Sequence, residues 1–330
     1  MISCSRRLIG IAIAAACCCL APVAETAQDA AADYPSKNIV VVVPYAAGGP
    51  TDIIVRNVMP HVAVQLGQPI VIEVQAGASG TLGAARVARA APDGHTLLAA
   101  DTSMTVAPYV MASPNFDPRH DFLAVGLLAR SLLMMVANPQ MPARSVAEFV
   151  ALAKSKPGEI TYAHAGTGSP PHLGALAFIA ATGVEMVPVT YRGVSVAVND
   201  VVGGHVSMLF MSRGAVASLA DAGKVRVLAT AGLSRLASMP DVPTFRELGI
   251  DLKIVDEGTW FGIVAPAGTP PQIVDRLNAA INLALADSAI RARLEAIDLK
   301  LLGGTRAEFE RVIERHIAHW SGTFSRASPK

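Results

Sequence analysis

The chain has 330 residues, 52% hydrophobic and 16% charged, so it can bury a large core and lacks the composition of a disordered protein. Its formal net charge of +1 offers no basic field, which argues against nucleic acid as a partner. All four cysteines, Cys4 and Cys17 to Cys19, lie before Leu20, so the remainder has no disulfides and depends on its core.

The N-terminus reads MISCSRRLIGIAIAAACCCLAPVAETAQ. Arg6 and Arg7 form a positive segment, Leu8 to Leu20 a short apolar stretch, and small residues follow. This is the pattern of a secretory signal peptide within residues 1–32, cleaved somewhere between Ala16 and Ala32. The mature protein is then expected in the periplasm. Cys17 to Cys19 admit a lipoprotein reading, but the preceding AIAAA lacks the usual leucine. A retained anchor helix is the remaining alternative.

Further along, NIVVVVPY is β-branched and almost wholly apolar, as in a strand buried on both faces. A helix is predicted from about Pro50 to Leu66, with Ile54, Val58, Val62 and Leu66 at helical spacing. PIVIEV is a strand, GTLGAARVARAAPDG a helix ended by a turn, and HTLLAAD a strand. This βαβαβ rhythm predicts a mostly parallel sheet. LLARSLLMMVANP is a long apolar stretch with strand character. Ser145 to Glu148 has capping-box spacing. ITYAHAG, MVPVTYRG, HVSMLFMS and KVRVLATAG read as strands. TWFGIVAPAG is a strand before a helix starting near Pro270, and a capping box at Thr305 to Glu308 opens an amphipathic last helix.

Two turns carry the chemistry. In VPYAAGGPTD, Gly48 and Gly49 permit a tight turn, Pro50 suits the first helical position, and Thr51 and Asp52 follow in the first turn. Such a helix start attracts an anion, although Asp52 could cap the helix itself. An ordinary strand-to-helix turn is the plainer alternative. In AGTGSPPHL, Gly166 and Gly168 bracket Thr167, and Ser169 is a good N-cap before Pro170. Two such starts facing each other across a cleft would grip an anionic small molecule, at the strand ends where α/β ligands sit.

Other chemistries find little support. No Gly-Lys-Ser/Thr follows the first turn, and Gly48-Gly49-Pro50 does not fit a dinucleotide fingerprint. No G-x-S-x-G surrounds Ser79, Ser103 or Ser169. His316 and His319 lie three apart on the last helix, where a solvated face is a simpler reading than a metal site. His164 and His172 flank the second turn in either a ligand or a structural role. Tyr191, after a strand, could reach the cleft or lie on a surface turn. No nucleophile–base pair, metal set or cofactor motif is visible, so no enzyme and no cofactor is expected.

Taken in order, YPSKNIVVVVPYAAGGPTDIIVR, APDGHTLLAADTS, NFDPRHDF, PGEITYAHAGTGSPPHL, VTYRG, GGHVSMLF, GKVRVLATAG, PDVPTFRELG and TWFGIVAPAGTP resemble the substrate-binding proteins of tripartite tricarboxylate transporters, the Bordetella uptake gene (Bug) family. The resemblance spans essentially the whole mature chain. It implies an α/β, two-domain periplasmic binding protein of the Venus-flytrap kind, type II-like, with mixed, mostly parallel sheets, a cleft and a hinge. It implies a small carboxylate held by backbone amides, hydroxyls and water. By position, the contacts would be Tyr45, Gly48, Gly49, Thr51 and Asp52 from the first loop, and Ser103 after the third strand. Gly166, Thr167, Gly168, Ser169 and His172 would come from the second loop, with Tyr191 covering the other side. The chain departs from the family at Val74 to Gly80 and at Met211 to Ala215. At the second departure, Arg213 could reach the cleft and select a ligand with a second acidic or polar group; a solvated surface arginine is the alternative.

The expected organisation is a discontinuous domain of residues 33–133 and 258–330 and an inserted domain of 134–257, with crossings near 127–136 and 256–264. The expected function is a monomeric solute-binding protein that delivers its carboxylate to membrane permease subunits. The alternative is a protein that presents the bound carboxylate to a membrane sensor kinase.

Overall fold

The computed structural model describes residues 33–111 and 113–325. The signal-peptide segment lies outside them. The chain divides into a unit ending at Tyr34 and a unit of Pro35–Lys330, which carries the fold.

The chain first runs through β1 (Ile39–Val43), α1 (Pro50–Leu66), β2 (Ile70–Val74), α2 (Thr81–Ala88), β3 (Thr96–Asp101), α3 (Ser103–Val110) and β4 (Phe122–Ser131). It continues through β5 (Leu133–Ala137), α4 (Val146–Ser155), β6 (Thr161–His164), α5 (Pro170–Thr182), β7 (Val187–Thr190), α6 (Val194–Gly203), β8 (Met208–Ser212), α7 (Arg213–Asp221) and β9 (Arg226–Thr230). It ends with β10 (Thr259–Pro266), α8 (Pro271–Ala286), α9 (Ser288–Glu295), β11 (Leu299–Leu301) and α10 (Arg306–Ser325).

Two sheets result, each the centre of one lobe. The first has the order β11-β4-β10-β3-β1-β2 and the second β7-β6-β8-β5-β9. Both are mixed. Strands joined by βαβ connections pair in parallel: β1 with β2 and β3, and β6 with β7 and β8. The others are antiparallel, with β10 between β3 and β4, β11 beside β4, and β5 between β8 and β9. The parallel expectation therefore holds where a helix returns the chain. It does not hold for strands that enter a sheet from elsewhere.

The predicted α1 is found from Pro50 to Leu66. The strand-like stretch LLARSLLMMVANP holds two strands: β4 ends in the first sheet at Ser131, and β5 begins in the second at Leu133. The chain returns at Gly258, where the two crossings come close. A Cβ there would stand 2.7 Å from the Ser131 carbonyl oxygen, and φ is +83°, so glycine is needed. The helices α3, α6, α7 and α9 and the short β11 carried no sequence signal strong enough to be read. In α6 the run VSVAVNDVV is rich in β-branched residues of modest helix propensity.

Both capping boxes act as caps. The Ser145 Oγ accepts from Glu148 N–H, while the Glu148 carboxylate accepts from Arg144 N–H, one residue earlier than expected. Thr305 and Glu308 exchange both bonds.

β5, β8 and β10 are buried along their whole length, hence their continuous apolar sequence. Met134 and Val136 pack with Leu209 and Met211 on one face of the second sheet. Met135 and Phe210 face the aromatic cluster of Phe149, Phe178 and Phe245 on the other. Each such side chain stabilises by roughly 1.5–3 kcal/mol. The first lobe packs Leu98, Ala100 and Val264 against Phe309, Ile313 and Ile317 of α10. One turn further, Trp320 joins the second lobe's core. The last helix thus spans both cores. His316 is buried against Trp260, which corrects the solvated-face reading, and burial pushes its imidazole down to about 3. The apolar stripe of α10 is wide enough to include it. Among the described residues no group of three His, Cys, Asp or Glu could hold a metal, and no helix is long and apolar enough to cross a membrane.

Candidate functional site

The first turn leaves β1 at Val43 and enters α1 at Pro50. Gly48 has φ +81°, a left-handed conformation that glycine adopts without strain. Its N–H donates to Asp52 Oδ2 at 2.9 Å, while Arg56 Nε donates to Asp52 Oδ1 at 2.8 Å. Asp52 is buried. It closes its own loop, and its charge is matched by the arginine one helical turn on.

The second turn is closed by imidazoles. The Gly166 N–H donates to His164 Nδ1 at 3.1 Å, and the Gly168 N–H to His172 Nδ1 at 3.1 Å. The rings lie 4.6 Å apart, and the His172 ring stacks on Tyr162. A nitrogen that accepts from an amide carries no proton, so both rings are neutral. Burial lowers the His164 pKa. Burial, followed by the neighbouring His164, pushes His172 down to about 4. Ser169 sits at the N-cap position of α5, yet its hydroxyl caps nothing.

A pocket lies where the two sheets' strand ends meet. From the first lobe it is lined by Tyr45, Gly49 and Thr51, by Asp101 at the end of β3, and by Thr259 and Phe261 of β10. From the second lobe come Ala165, Ser169 and Pro170, then Gly193 and Val194, then Met211 and Ser212. These residues open four helices: α1, α5, α6 and α7. Four helix N-termini thus bring their positive dipole ends to one small space, with Pro50, Pro170 and Pro171 carrying no N–H of their own. The Ser169 and Ser212 hydroxyls are buried in its wall without a hydrogen-bond partner. No lysine, arginine or histidine lines it among the described residues.

The room inside is about 50 Å³, so the lobes stand close. They also touch beside it. The Ser195 hydroxyl donates to the Ala47 carbonyl at 3.2 Å. A Cβ on Gly193 would lie 3.0 Å from Ala46 Cβ, and one on Gly166 would lie 2.2 Å from Ser79 Oγ. Ser79 itself has φ 58°, strained for a serine, in the turn between β2 and α2.

A sequence model described as the tripartite tricarboxylate transporter family receptor matches residues 54–326. The chain belongs to that family. Protein BugT of Bordetella pertussis is 32% identical over 299 residues, covering 90% of this chain and 91% of BugT. The structure of the periplasmic binding protein BugD is similar with a TM-score of 0.84 at 30% identity, over 89% of this chain and 98% of BugD. MatC of Rhodopseudomonas palustris, solved with bound malate, is similar with a TM-score of 0.85 at 34% identity, over 88% of this chain and all (100%) of MatC. The fold is that of a two-lobed periplasmic binding protein, and this tricarboxylate-receptor family member is a solute-binding protein, not an enzyme.

Of the residues expected to contact a ligand in this receptor, Tyr45, Gly49, Thr51 and Ser169 line the pocket. Gly48, Gly166 and Gly168 shape the turns instead, their N–H groups already bonded to Asp52, His164 and His172. Asp52 and His172 are corrected in the same way, as the acceptors of those bonds. Thr167 is exposed. Ser103 opens α3 and does not sit on a loop; its hydroxyl bonds to Asp101 and lies 2.5 Å from the Tyr45 hydroxyl. The Tyr191 hydroxyl donates to Asp200 at 2.5 Å, away from the pocket. Arg213 is also corrected. It turns from the cleft and donates to Asp221 at 2.9 Å and to the Ala296 carbonyl at 3.1 Å, with Asp298 at 3.6 Å. Its preceding residue, Ser212, faces the pocket, because successive positions leaving a strand point opposite ways. The Val74–Gly80 stretch supplies Ser79, the contact to Gly166. Sequence reasoning missed Asp101, Ser212 and Thr259; only their place at strand ends could have marked them.

Proposed function

We propose that the protein is a periplasmic receptor that captures a small carboxylate in this pocket and delivers it to the permease of a tripartite tricarboxylate-type transporter. The observation that supports it best is the convergence of four helix N-termini and the partnerless Ser169 and Ser212 hydroxyls on one pocket. A carboxylate supplies acceptors for those donors without needing a cationic side chain. MatC, with the same fold and bound malate, supports that ligand class. Residues 33–133 with 258–330 and residues 134–257 would move as two bodies about the crossings at Leu132 and Gly258.

A thermal-shift screen of carboxylates tests the reading. A ligand present at about 100 times its Kd should add roughly 2.7 kcal/mol of stability. Silence across mono-, di- and tricarboxylates would reject it. Uptake of the best binder should then fail in cells lacking either this protein or the permease.

A further inference from the structure

Asp101 is an acid in a pocket that has no cation. It ends β3, is only 4% exposed, and lines the cleft. Its Oδ1 accepts from the Ser103 N–H at 2.9 Å and from the Ser103 hydroxyl, and the Tyr45 hydroxyl lies 3.5 Å away. Every hydrogen bond to Asp101 among the described residues ends on Oδ1; none reaches Oδ2. The groups that face it are Tyr45 from the β1–α1 turn and Ser103 from α3. Burial pushes its carboxyl up to about 6, so at neutral pH it is ionised despite being desolvated.

We propose that Asp101 selects carboxylates that carry their own hydrogen-bond donor, a hydroxyl or an ammonium, beside the carboxylate. The proposal rests on the cleft being a carboxylate site. A plain carboxylate would bring a second negative charge close to Asp101, in a pocket whose wall has no cation to offset it. It would also leave Oδ2 without a donor. A hydroxyl or ammonium on the neighbouring carbon provides that donor in a charge-assisted bond, and the ammonium cancels the charge as well. Ser169 and Ser212 cannot make this distinction, since a hydroxyl donates and accepts equally well.

The chemistry of the isostere sharpens the test. In Asp101→Asn the amide oxygen must stay on the Ser103 N–H, so the amide nitrogen takes the place of Oδ2. The free position changes from acceptor to donor.

Calorimetric titration at pH 7.5 would compare propionate, lactate, alanine and pyruvate, and succinate, malate and aspartate. The wild type should bind the hydroxy or amino member of each set at least 10-fold tighter than the unsubstituted one. Alanine and aspartate leading would identify the donor as an ammonium; lactate and malate leading would identify a hydroxyl. Asp101→Asn should lose the preference and rank pyruvate above lactate. If that variant does not fold, the wild type alone decides: its preference should fade between pH 7.5 and 5, as a proton on Oδ2 makes the same change. Equal binding within each set, at every pH, would overturn the proposal and leave the carboxylate site standing. No binding by any of the seven, together with silence of tricarboxylates in the thermal-shift screen, would overturn both.

Discussion

The first glycine turn is closed by a carboxylate, Asp52, and the second by two neutral imidazoles, His164 and His172. A negative charge in the first turn of α1 stabilises that helix but spends the positive end of its dipole. Neutral acceptors satisfy the second loop's amides and leave the start of α5 free to attract an anion. The two turns therefore share a backbone task and differ in electrostatics. The second lobe holds the helix start with no charge in its first turn and both partnerless serine hydroxyls, Ser169 and Ser212, although Pro170 and Pro171 leave that start short of N–H donors.

The largest effect should come from crowding the contact between the lobes. Gly166→Ala places a methyl group 2.2 Å from Ser79 Oγ at φ +105°, where an L residue is strained. Gly48→Ala meets only Ser195 Cβ at 3.9 Å, at φ +81°. We expect Gly166→Ala to weaken carboxylate binding at least 30-fold by propping the cleft open. Gly48→Ala should cost about 1–2 kcal/mol of stability and little affinity. Calorimetry with denaturant melts separates these outcomes, and equal effects would erase the distinction between the turns.

The imidazole closure comes next. His172→Leu leaves the buried Gly168 N–H unpaired, at a cost of about 1–3 kcal/mol, and His172→Asn should recover part of it by offering an amide oxygen. The same closure predicts a pH dependence. His172 protonates near 6.5 when unfolded but only at about 4 when folded, so the unfolded state gains protons first as pH falls. Its stabilisation is full above pH 6.5 and is lost toward pH 4. The ceiling is roughly 3 kcal/mol, reduced by the ring's partial exposure. Urea melts from pH 7.5 to 4 should show this fall in the wild type, and a smaller one in His172→Asn. Buried His316 adds a fall of the same sign that both proteins share.

Arg213 joins α7 of the second lobe to Ala296 and Asp298 of the first, so Arg213→Met should loosen the closed arrangement. Binding should weaken about 5–20-fold, and equally for mono- and dicarboxylates. A loss confined to dicarboxylates would return Arg213 to the cleft. The smallest effect is expected for Asp52→Asn. The amide oxygen still accepts from Gly48, while the half-exposed Arg56 guanidinium loses its acceptor and swings to solvent; the helix-start charge is worth about 0.3–1 kcal/mol. Carboxylate binding should hold or improve slightly.

Strand runs such as IVVVV and the proline-started helices were legible because periodicity and helix-start chemistry are local. The pairing direction of β10 was not, since it depends on which sheet the chain enters next. The site divided in the same way. Both turns were visible, but the sequence could not say which amides the neighbouring side chains would consume. Asp52 and His172 sit four residues from the N–H groups they accept from, a spacing compatible with either role. Ser212 and Asp101 face the pocket only because distant strands end side by side.

A crystal structure with the tightest carboxylate from the screen tests the central claim most directly. Its carboxylate should lie between the helix starts at Thr51 and Ser169, within hydrogen-bond reach of the Ser212 hydroxyl. A second, larger cavity of about 710 Å³ carries Arg130, Arg246, Lys253 and Lys300 on its wall, but Asp251, Asp256, Glu257, Glu295 and Asp298 line it too and offset those cations, so it offers an anion no net attraction. A carboxylate bound there, with the cleft between the glycine turns left unchanged, would contradict the account.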